Sequence, residues 1–175
     1  MGRKLQYYGS RILRNNSIEL DVDSQREFLE ALISDMTQIL RMENGLGLAA
    51  PQAGENVRLF ILNSRELELD GHSVFVNPRV ETSGSMEKDE EGCLSIPGIY
   101  EFVRRPLRST VTALDLEGNE FRLELEGYAA RAAQHENDHL NGVLFVDRLS
   151  PVRKRLVKKQ LARIKREYGT EFRIL

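Results

Sequence analysis

Residues 128–141 read YAARAAQHENDHLN, and this stretch indicates most clearly what kind of fold the chain adopts. Its four alanines favour a helix, and the glycine that follows, Gly142, is the residue type that commonly ends one. On such a helix His135 and His139 share one face, so both imidazoles can reach one metal ion. Glu136 projects about 100° away from His135, beside that ion. The pattern predicts a metal-binding helix.

The His-Glu-x-x-His spacing is typical of metal hydrolases in which the glutamate takes a proton from the attacking water. Two of the 3 histidines of the chain fall in this pattern. Chance would produce it in roughly 1% or fewer of chains of this length and composition. The remaining histidine, His72, follows Gly71 and is expected to lie in a solvated loop.

A third metal ligand has more than one candidate. Metzincin proteases place a third histidine where this chain has Phe145, which cannot bind a metal. Thermolysin-like sites use a glutamate, and Glu167 and Glu171 lie downstream, but no motif surrounds them. Cys93 is the other candidate, because divalent ions strongly favour a thiolate. Two histidines and one thiolate would leave a position open for water, as a catalytic site requires.

A segment of small residues, GLGLAAPQ at 45–52, offers a place where a substrate backbone can approach closely. Gln52 at its end supplies a side-chain amide donor. Taken alone, the segment fits a helix stop followed by a tight packed loop better than a binding element.

The remaining pattern predicts an α+β fold, with mixed or antiparallel sheets packed around the metal-binding helix. A helix is expected from Ser24, where Ser24 and Glu27 have the form of a capping box, to Asn44. Strands are expected at 57–63, 74–77, 111–115 and 121–125, the last two joined by a hairpin turn at 117–119. A C-terminal helix is expected at about 151–168, with an inward stripe formed by Val152, Leu156, Leu161, Ile164 and Tyr168.

The chain has 175 residues and a net charge of −2. A chain of this length buries roughly 70% of its unfolded surface, and it has no linker or repeat, so one catalytic domain over residues 1–175 is expected. No apolar run approaches the ~18 residues of a membrane span or forms a signal peptide. We therefore expect a cytoplasmic protein without membrane or DNA partners. The same pattern fits the mature form of an organellar protein.

Three segments, in this order, resemble the signature motifs of the peptide deformylases: GLGLAAPQ at 45–52, EGCLS at 91–95 and QHENDHL at 134–140. Residues 8–14 and 141–145 are similar to further parts of the same family. The resemblance implies a metal-dependent hydrolase that removes the formyl group from the N-terminal formyl-methionine of newly synthesised polypeptides, releasing formate. It also implies one divalent metal ion per chain, with ferrous iron expected and zinc, nickel or cobalt compatible with the same ligands.

The resemblance also implies roles for individual residues. The metal ligands would be Cys93, His135 and His139. Glu136 would be general base and then proton donor, while the Gln52 side chain and the Leu94 backbone N–H would stabilise the oxyanion. Gly47 would let the substrate lie close to the oxyanion site, and Glu91, paired with Arg105, would steady the cysteine loop. The methionine pocket would be formed by Leu46, Ile96, Tyr128, Arg131 and Ala132.

Two positions depart from the family pattern. Asn137 is polar where apolar residues are more usual, which predicts altered packing behind the helix. Tyr100 stands where some members carry an arginine near the substrate backbone.

The C-terminal helix is strongly basic, with Arg153, Lys154, Arg155, Lys158, Lys159, Arg163, Lys165 and Arg166. A solvated face that balances acidic charge elsewhere is the simpler interpretation. Docking on ribosomal RNA is the alternative for an enzyme that acts on nascent chains.

Two other functions stay open. An endoprotease is opposed by Phe145, and a catalytically silent metal-binding or ribosome-binding protein is opposed by the presence of Glu136 and Gln52.

Overall fold

The computed structural model of the protein describes residues 2–69 and 71–168. Within them lie three α-helices: α1 Arg26–Met42, α2 Gly127–Leu140 and α3 Pro151–Tyr168. Three short 3₁₀ helices occupy Arg11–Arg14, Ala50–Ala53 and Phe145–Arg148. None of the helices in this described part is both long and apolar enough to cross a membrane.

The strands form one five-stranded antiparallel sheet in the order β1-β2-β3-β4-β5. Their bounds are Gly47–Ala49 (β1), Leu59–Leu62 (β2), Val74–Cys93 (β3), Ile96–Leu114 (β4) and Glu120–Glu126 (β5). The α+β class and the antiparallel sheet agree with the sequence prediction. The hairpin expected around residues 117–119 is also present, as the turn between β4 and β5.

Strands β3 and β4 are far longer than the predicted strands at 74–77 and 111–115. They form an antiparallel ribbon that ends in a tight turn between Cys93 and Ile96. The prediction missed the distal ribbon because its pattern is inverted. On β4 the polar residues Glu101 and Arg105 are buried, whereas Tyr100 is 65% exposed. The ribbon carries Cys93 at its tip, so its length determines where a candidate ligand lies.

Helix α1 begins at Arg26, not at Ser24, and ends at Met42. The expected capping box is wrong, because no side chain caps the helix at Gln25. The backbone N–H of Ser24 instead donates to the carboxylate of Asp21 in the preceding turn. The apolar positions of the helix are buried as predicted, including Leu29, Leu32 and Met36 at 0% exposure.

Helix α2 packs against all five strands of the sheet. Its alanines lie in one apolar cluster with Phe60 and Phe75, whose rings stack with centroids 4.7 Å apart. Small side chains such as Ala130 and Ala133, both 0% exposed, let the helix lie close to the strands. The metal-binding helix predicted from the sequence is therefore central in the fold.

Helix α3 contacts the rest of the protein through a narrower stripe than predicted. Val157 and Ile164 are buried, whereas Val152 and Leu156 are 66% and 64% exposed. The buried stripe of α3 thus begins at Val157, whereas the sequence predicted that it would begin at Val152. Near its end, Tyr168 stacks on Tyr7 with ring centroids 4.1 Å apart.

Candidate metal centre

A cleft of about 450 Å³ opens between helix α2, the segment around β1 and the tip of the ribbon. Most of the site residues predicted from the sequence line it. From the first motif these are Leu46, Gly47 and Gln52; from the ribbon, Glu91, Cys93 and Leu94; and from α2, Tyr128, Arg131, Ala132, His135 and Glu136. The fold therefore brings the three sequence motifs together around one cavity.

Cys93, His135 and His139 form a cluster in which one ligand atom from each lies within 4.8 Å of the others. Cys93 Sγ is 3.3 Å from His139 Nε2. His139 is 1% exposed and Cys93 is half-buried. A thiolate and two imidazoles are the donor types that divalent transition metals take in proteins, so the residues present fit such an ion.

The other candidates for a third ligand lie elsewhere. Phe145, at the metzincin position, is buried and its ring lies beside that of His135 with centroids 6.1 Å apart. Glu167 pairs with Arg163 on the surface of α3. Glu171 lies outside the described residues. Cys93 is thus the candidate that the fold brings to the histidines.

Glu91 orients His135. Its Oε2 lies 3.2 Å from His135 Nδ1, which turns Nε2 of that ring toward the cluster. Arg105 holds the same carboxylate with two hydrogen bonds, at 2.6 and 2.9 Å. Burial alone would raise the pKa of Glu91, but the hydrogen bonds from His135 and Arg105 outweigh it and hold the pKa well below its usual range. Glu91 therefore stays ionised beside the imidazole.

The pKa values of the two histidines are shifted in opposite directions. Burial lowers the pKa of His139 well below its usual value, which keeps this ring neutral. Burial also lowers the pKa of His135, but its hydrogen bonds with Cys93 and Glu91 outweigh burial and raise that pKa. Because a metal ligand must be a neutral imidazole, an ion bound at His135 would have to compete with a proton for this ring.

Glu136 is a buried carboxylate beside the cluster, 4% exposed, and among the described residues its Oε2 has no hydrogen-bond partner. Burial raises its pKa to about 7, although the charges of His135 and Arg105 oppose the shift. A carboxyl group with a pKa near neutrality can both accept and return a proton. Gly47 leaves room for it, since a Cβ there would lie 2.6 Å from Glu136 Oε1.

Gln52 lies in the 3₁₀ helix after β1 and is 1% exposed. Its Oε1 accepts a hydrogen bond from the Ala49 N–H at 2.8 Å, which fixes the orientation of the amide. The Nε2 group therefore points to the ribbon tip, 3.1 Å from Ser95 Oγ and 3.5 Å from Cys93 Sγ. The predicted donor is thus beside a candidate ligand, and Leu94 lies in the turn between Cys93 and Ser95.

The predicted methionine pocket is only partly assembled. Leu46, Tyr128 and Ala132 line the cleft. Ile96 does not: it is fully buried in the apolar cluster that includes Phe145, below the ribbon tip. The strand direction after the tight turn carries its side chain into the core, which a linear motif could not reveal.

Several residues near the site were missed by the sequence analysis. Ser95, at 0% exposure, receives a hydrogen bond from Gln52, and it belonged to the second motif without an assigned role. Asp138 binds Arg105 at 2.9 Å and also binds Arg148. Its position inside the His-Glu-x-x-His motif was the available signal. The cleft also includes the acidic residues Glu43 and Glu90.

Two expectations outside the cleft can be compared with the structure. His72 is not simply solvated, because its ring stacks on Phe121 with centroids 4.4 Å apart. Asn137 accepts a hydrogen bond from Arg58 at 3.1 Å, and Arg58 also donates to Asn141 at 3.0 Å. Polar packing behind the helix is therefore satisfied by Arg58, which immediately precedes β2.

A cysteine, two histidines on one helix and a buried glutamate beside them, held in an α+β fold, define the class of mononuclear metal hydrolases. Comparison with known proteins specifies the family. The sequence model that describes the polypeptide deformylase family matches residues 3–155, and the chain belongs to that family.

Individual relatives agree with this assignment. The chain is 41% identical to peptide deformylase 1 of Clostridium perfringens, over 83% of this chain and 96% of the relative. It is 38% identical to the peptide deformylase of Fusobacterium nucleatum, over 94% and 93%. Among solved structures it is similar to the plant peptide deformylase PDF1B, with a TM-score of 0.87, 34% identity and coverage of 98% and 94%.

Proposed function

We propose that this protein hydrolyses the formyl group from the N-terminal formyl-methionine of newly synthesised polypeptides and releases formate. One observation carries the proposal. Cys93, His135 and His139 place their ligand atoms within 4.8 Å of one another, directly beside the buried carboxylate of Glu136. Family membership supports the same reaction.

In the proposed mechanism Cys93, His135 and His139 hold the metal ion. When bound, the ion supplies a Lewis acid that polarises the formyl carbonyl and makes water more acidic. Glu136 accepts the proton of the attacking water on Oε2, which has no hydrogen-bond partner in the described part of the chain, and delivers it to the departing amine nitrogen. Its raised pKa, about 7, suits both steps.

Oxyanion stabilisation is assigned to the Nε2 group of Gln52 and to the backbone N–H of Leu94. The Gln52 amide is fixed before substrate arrives, by its hydrogen bond from Ala49, and such preorganised donors stabilise developing charge. Gly47 keeps the approach open. Leu46, Tyr128 and Ala132 form the apolar wall against which the methionine side chain would pack.

The metal proposed for the cell is ferrous iron, with zinc, nickel and cobalt able to occupy the same ligands. Iron beside a cysteine is sensitive to oxygen. We therefore expect activity to fall during aerobic handling, in parallel with iron content. Activity that stayed constant in an aerobically stored preparation free of iron would contradict this choice of metal.

Contact with the ribosome through α3 is a second proposal. Lys158 and Lys159 are both exposed on this helix. They follow Val157, a buried residue that packs the helix against the rest of the protein. Reversing both charges should weaken co-sedimentation with ribosomes while leaving the buried stripe intact. The same reversals at exposed Arg104 and Arg122 on the sheet are the matched control. Equal binding by both double variants would refute the proposal.

We also propose that residues 1–175 act as one catalytic domain in the cytoplasm. The bacterial relatives support a bacterial type of protein. Packing of α2 against every strand supports a single unit, because the ligands on this helix depend on the whole sheet.

The test is formate release from N-formyl-Met-Ala by protein of known metal content, prepared without oxygen. Turnover of this peptide, with none of N-acetyl-Met-Ala, is the expected result. Glu136→Ala should lose activity and keep its metal, whereas a silent binding protein would be indifferent to the change. Cleavage of internal peptide bonds instead would favour the endoprotease.

A further inference from the structure

Arg131 carries a buried guanidinium group that the proposed mechanism does not use. The residue is 8% exposed and lies on α2. Its Nη1 donates to Glu91 Oε1 at 2.6 Å and to the Val103 carbonyl at 3.1 Å, and its Nη2 donates to the Glu87 carbonyl at 3.0 Å. These three bonds join α2 to both strands of the ribbon.

Arg131 is the second cation bound to Glu91, and the first, Arg105, is shared between Glu91 and Asp138. Arg105 gives two bonds to Glu91, but its remaining Nη1 binds Asp138 at 2.9 Å. Arg131 adds a bond at Oε1, while Oε2 faces Arg105 and His135. Each carboxylate oxygen of Glu91 therefore has two partners, which fills its acceptor positions and fixes its orientation.

Arg131 and His135 lie four residues apart on α2, so they project from the same helix face. Both reach the same carboxylate on β3. The arginine also donates hydrogen bonds to the backbone carbonyls of Glu87 on β3 and of Val103 on β4. This arrangement fixes the helix that carries the histidines relative to the ribbon that carries Cys93.

We propose that Arg131 is a positioning residue of the metal centre, which holds Glu91 against His135 and keeps α2 in register with the ribbon. The inference rests on the metal role proposed for His135. It replaces the substrate contact predicted from the sequence. Although Arg131 borders the cleft, its side chain is 9% exposed and its guanidinium is bound to Glu91 and to two carbonyls.

The proposal is tested with Arg131→Met, which keeps the length of the side chain but removes its charge and donors. Arg108→Met is the matched control, because it removes an exposed arginine–glutamate pair from β4 and β5. Co²⁺ affinity of the metal-free proteins is measured by competition with a chelator. Losing a partner that orients a metal ligand costs about 10- to 100-fold in affinity, so we expect a loss of that size in Arg131→Met and no change in Arg108→Met.

A double-mutant cycle with Glu91→Gln shows whether Arg131 acts through Glu91. If it does, the double variant binds Co²⁺ about as weakly as Glu91→Gln alone. Arg131→Lys, which restores the charge but lacks the planar, widely spaced donors of the guanidinium, should fall between Arg131→Met and the wild type. It also carries the comparison if Arg131→Met does not fold, as judged by circular dichroism.

Kinetics separate positioning from substrate binding. Positioning predicts a lower kcat with little change in KM for N-formyl-Met-Ala. Unchanged Co²⁺ affinity with a raised KM would overturn the proposal and restore the pocket assignment, and fully additive losses in the cycle would also overturn it. The Co²⁺ measurement needs no substrate. If the wild type binds Co²⁺ but releases no formate, the proposed reaction fails while the inference about Arg131 is still decided.

Discussion

Replacing Gly47 with alanine adds one methyl group directly against the carboxylate of Glu136. A Cβ at this position would lie 2.6 Å from Oε1, 2.8 Å from Cγ and 2.9 Å from Cδ of Glu136. Gly47 is in β1 and does not have a positive φ, so alanine can adopt its backbone conformation. The perturbation is therefore confined to the contact with the glutamate.

The size of the effect follows from these distances. Ordinary contact with a Cβ begins near 3.4 Å, so the carboxylate has to move by about 0.8 Å. Rotating the carboxyl group alone does not relieve the overlap, because Cγ and Cδ are also too close. A displacement of about 1 Å in a catalytic group can cost about 100-fold in rate. We expect a loss of that order in kcat, with a stability cost of about 1–3 kcal/mol from overpacking.

The assay is formate release under saturating substrate, with metal content and thermal unfolding measured on the same preparation. Gly2→Ala is the control, since a Cβ at Gly2 would meet only Asp35 Oδ1, at 3.4 Å. It should retain wild-type activity. A Gly47→Ala enzyme that keeps its metal and turns over at the wild-type rate would refute the reasoning. Such a result would mean that the position of Glu136 against Gly47 does not matter for the reaction.

Three further predictions concern stability. The hydrogen bond from Arg3 lowers the pKa of Asp35, so this pair stabilises the protein above the ordinary carboxyl range and the contribution is lost as pH falls through the lowered pKa. Asp35→Asn should therefore destabilise the protein by less than about 1 kcal/mol at pH 7 and by progressively less below about pH 4, in urea titrations across that range. Phe60→Ala should cost about 3–5 kcal/mol, because Phe60 is 0% exposed and stacked on Phe75; a loss below 1 kcal/mol would show that the core closes over the gap. Removing the metal with a chelator should lower Tm, by an amount equivalent to about 4 kcal/mol when the ion had been present at 1,000 times its Kd, and an unchanged Tm would mean that the folded state holds no ion.

Local patterns in the sequence predicted the elements that depend on neighbouring residues. The spacing of His135 and His139 specified a helix face, and α2 has that face. The role of Cys93 could not follow from spacing, because it lies 46 residues from His139 and depends on where the ribbon ends. Its assignment came from the resemblance to a family, and the fold places it at the cluster.

The failure to predict the long ribbon has a physical cause, which is polar burial. The distal ribbon was missed because β4 buries Glu101 and Arg105 while it exposes Tyr100 and Phe102. Patterning by hydrophobicity assigns such a strand the wrong faces. The pairing of Arg131 with Glu91 was also not predicted, because the two residues lie 40 positions apart in the sequence and leave no local sign.

The sheet order has a consequence for how the molecule gains reactivity as it folds. Because the five strands pair in chain order, each can join its predecessor as soon as both are available. The metal cluster behaves differently: its cysteine and second histidine are separated by 46 residues. A growing chain can thus form much of its sheet before the candidate ligands are together, and Cys93 meets the two histidines only when α2 docks.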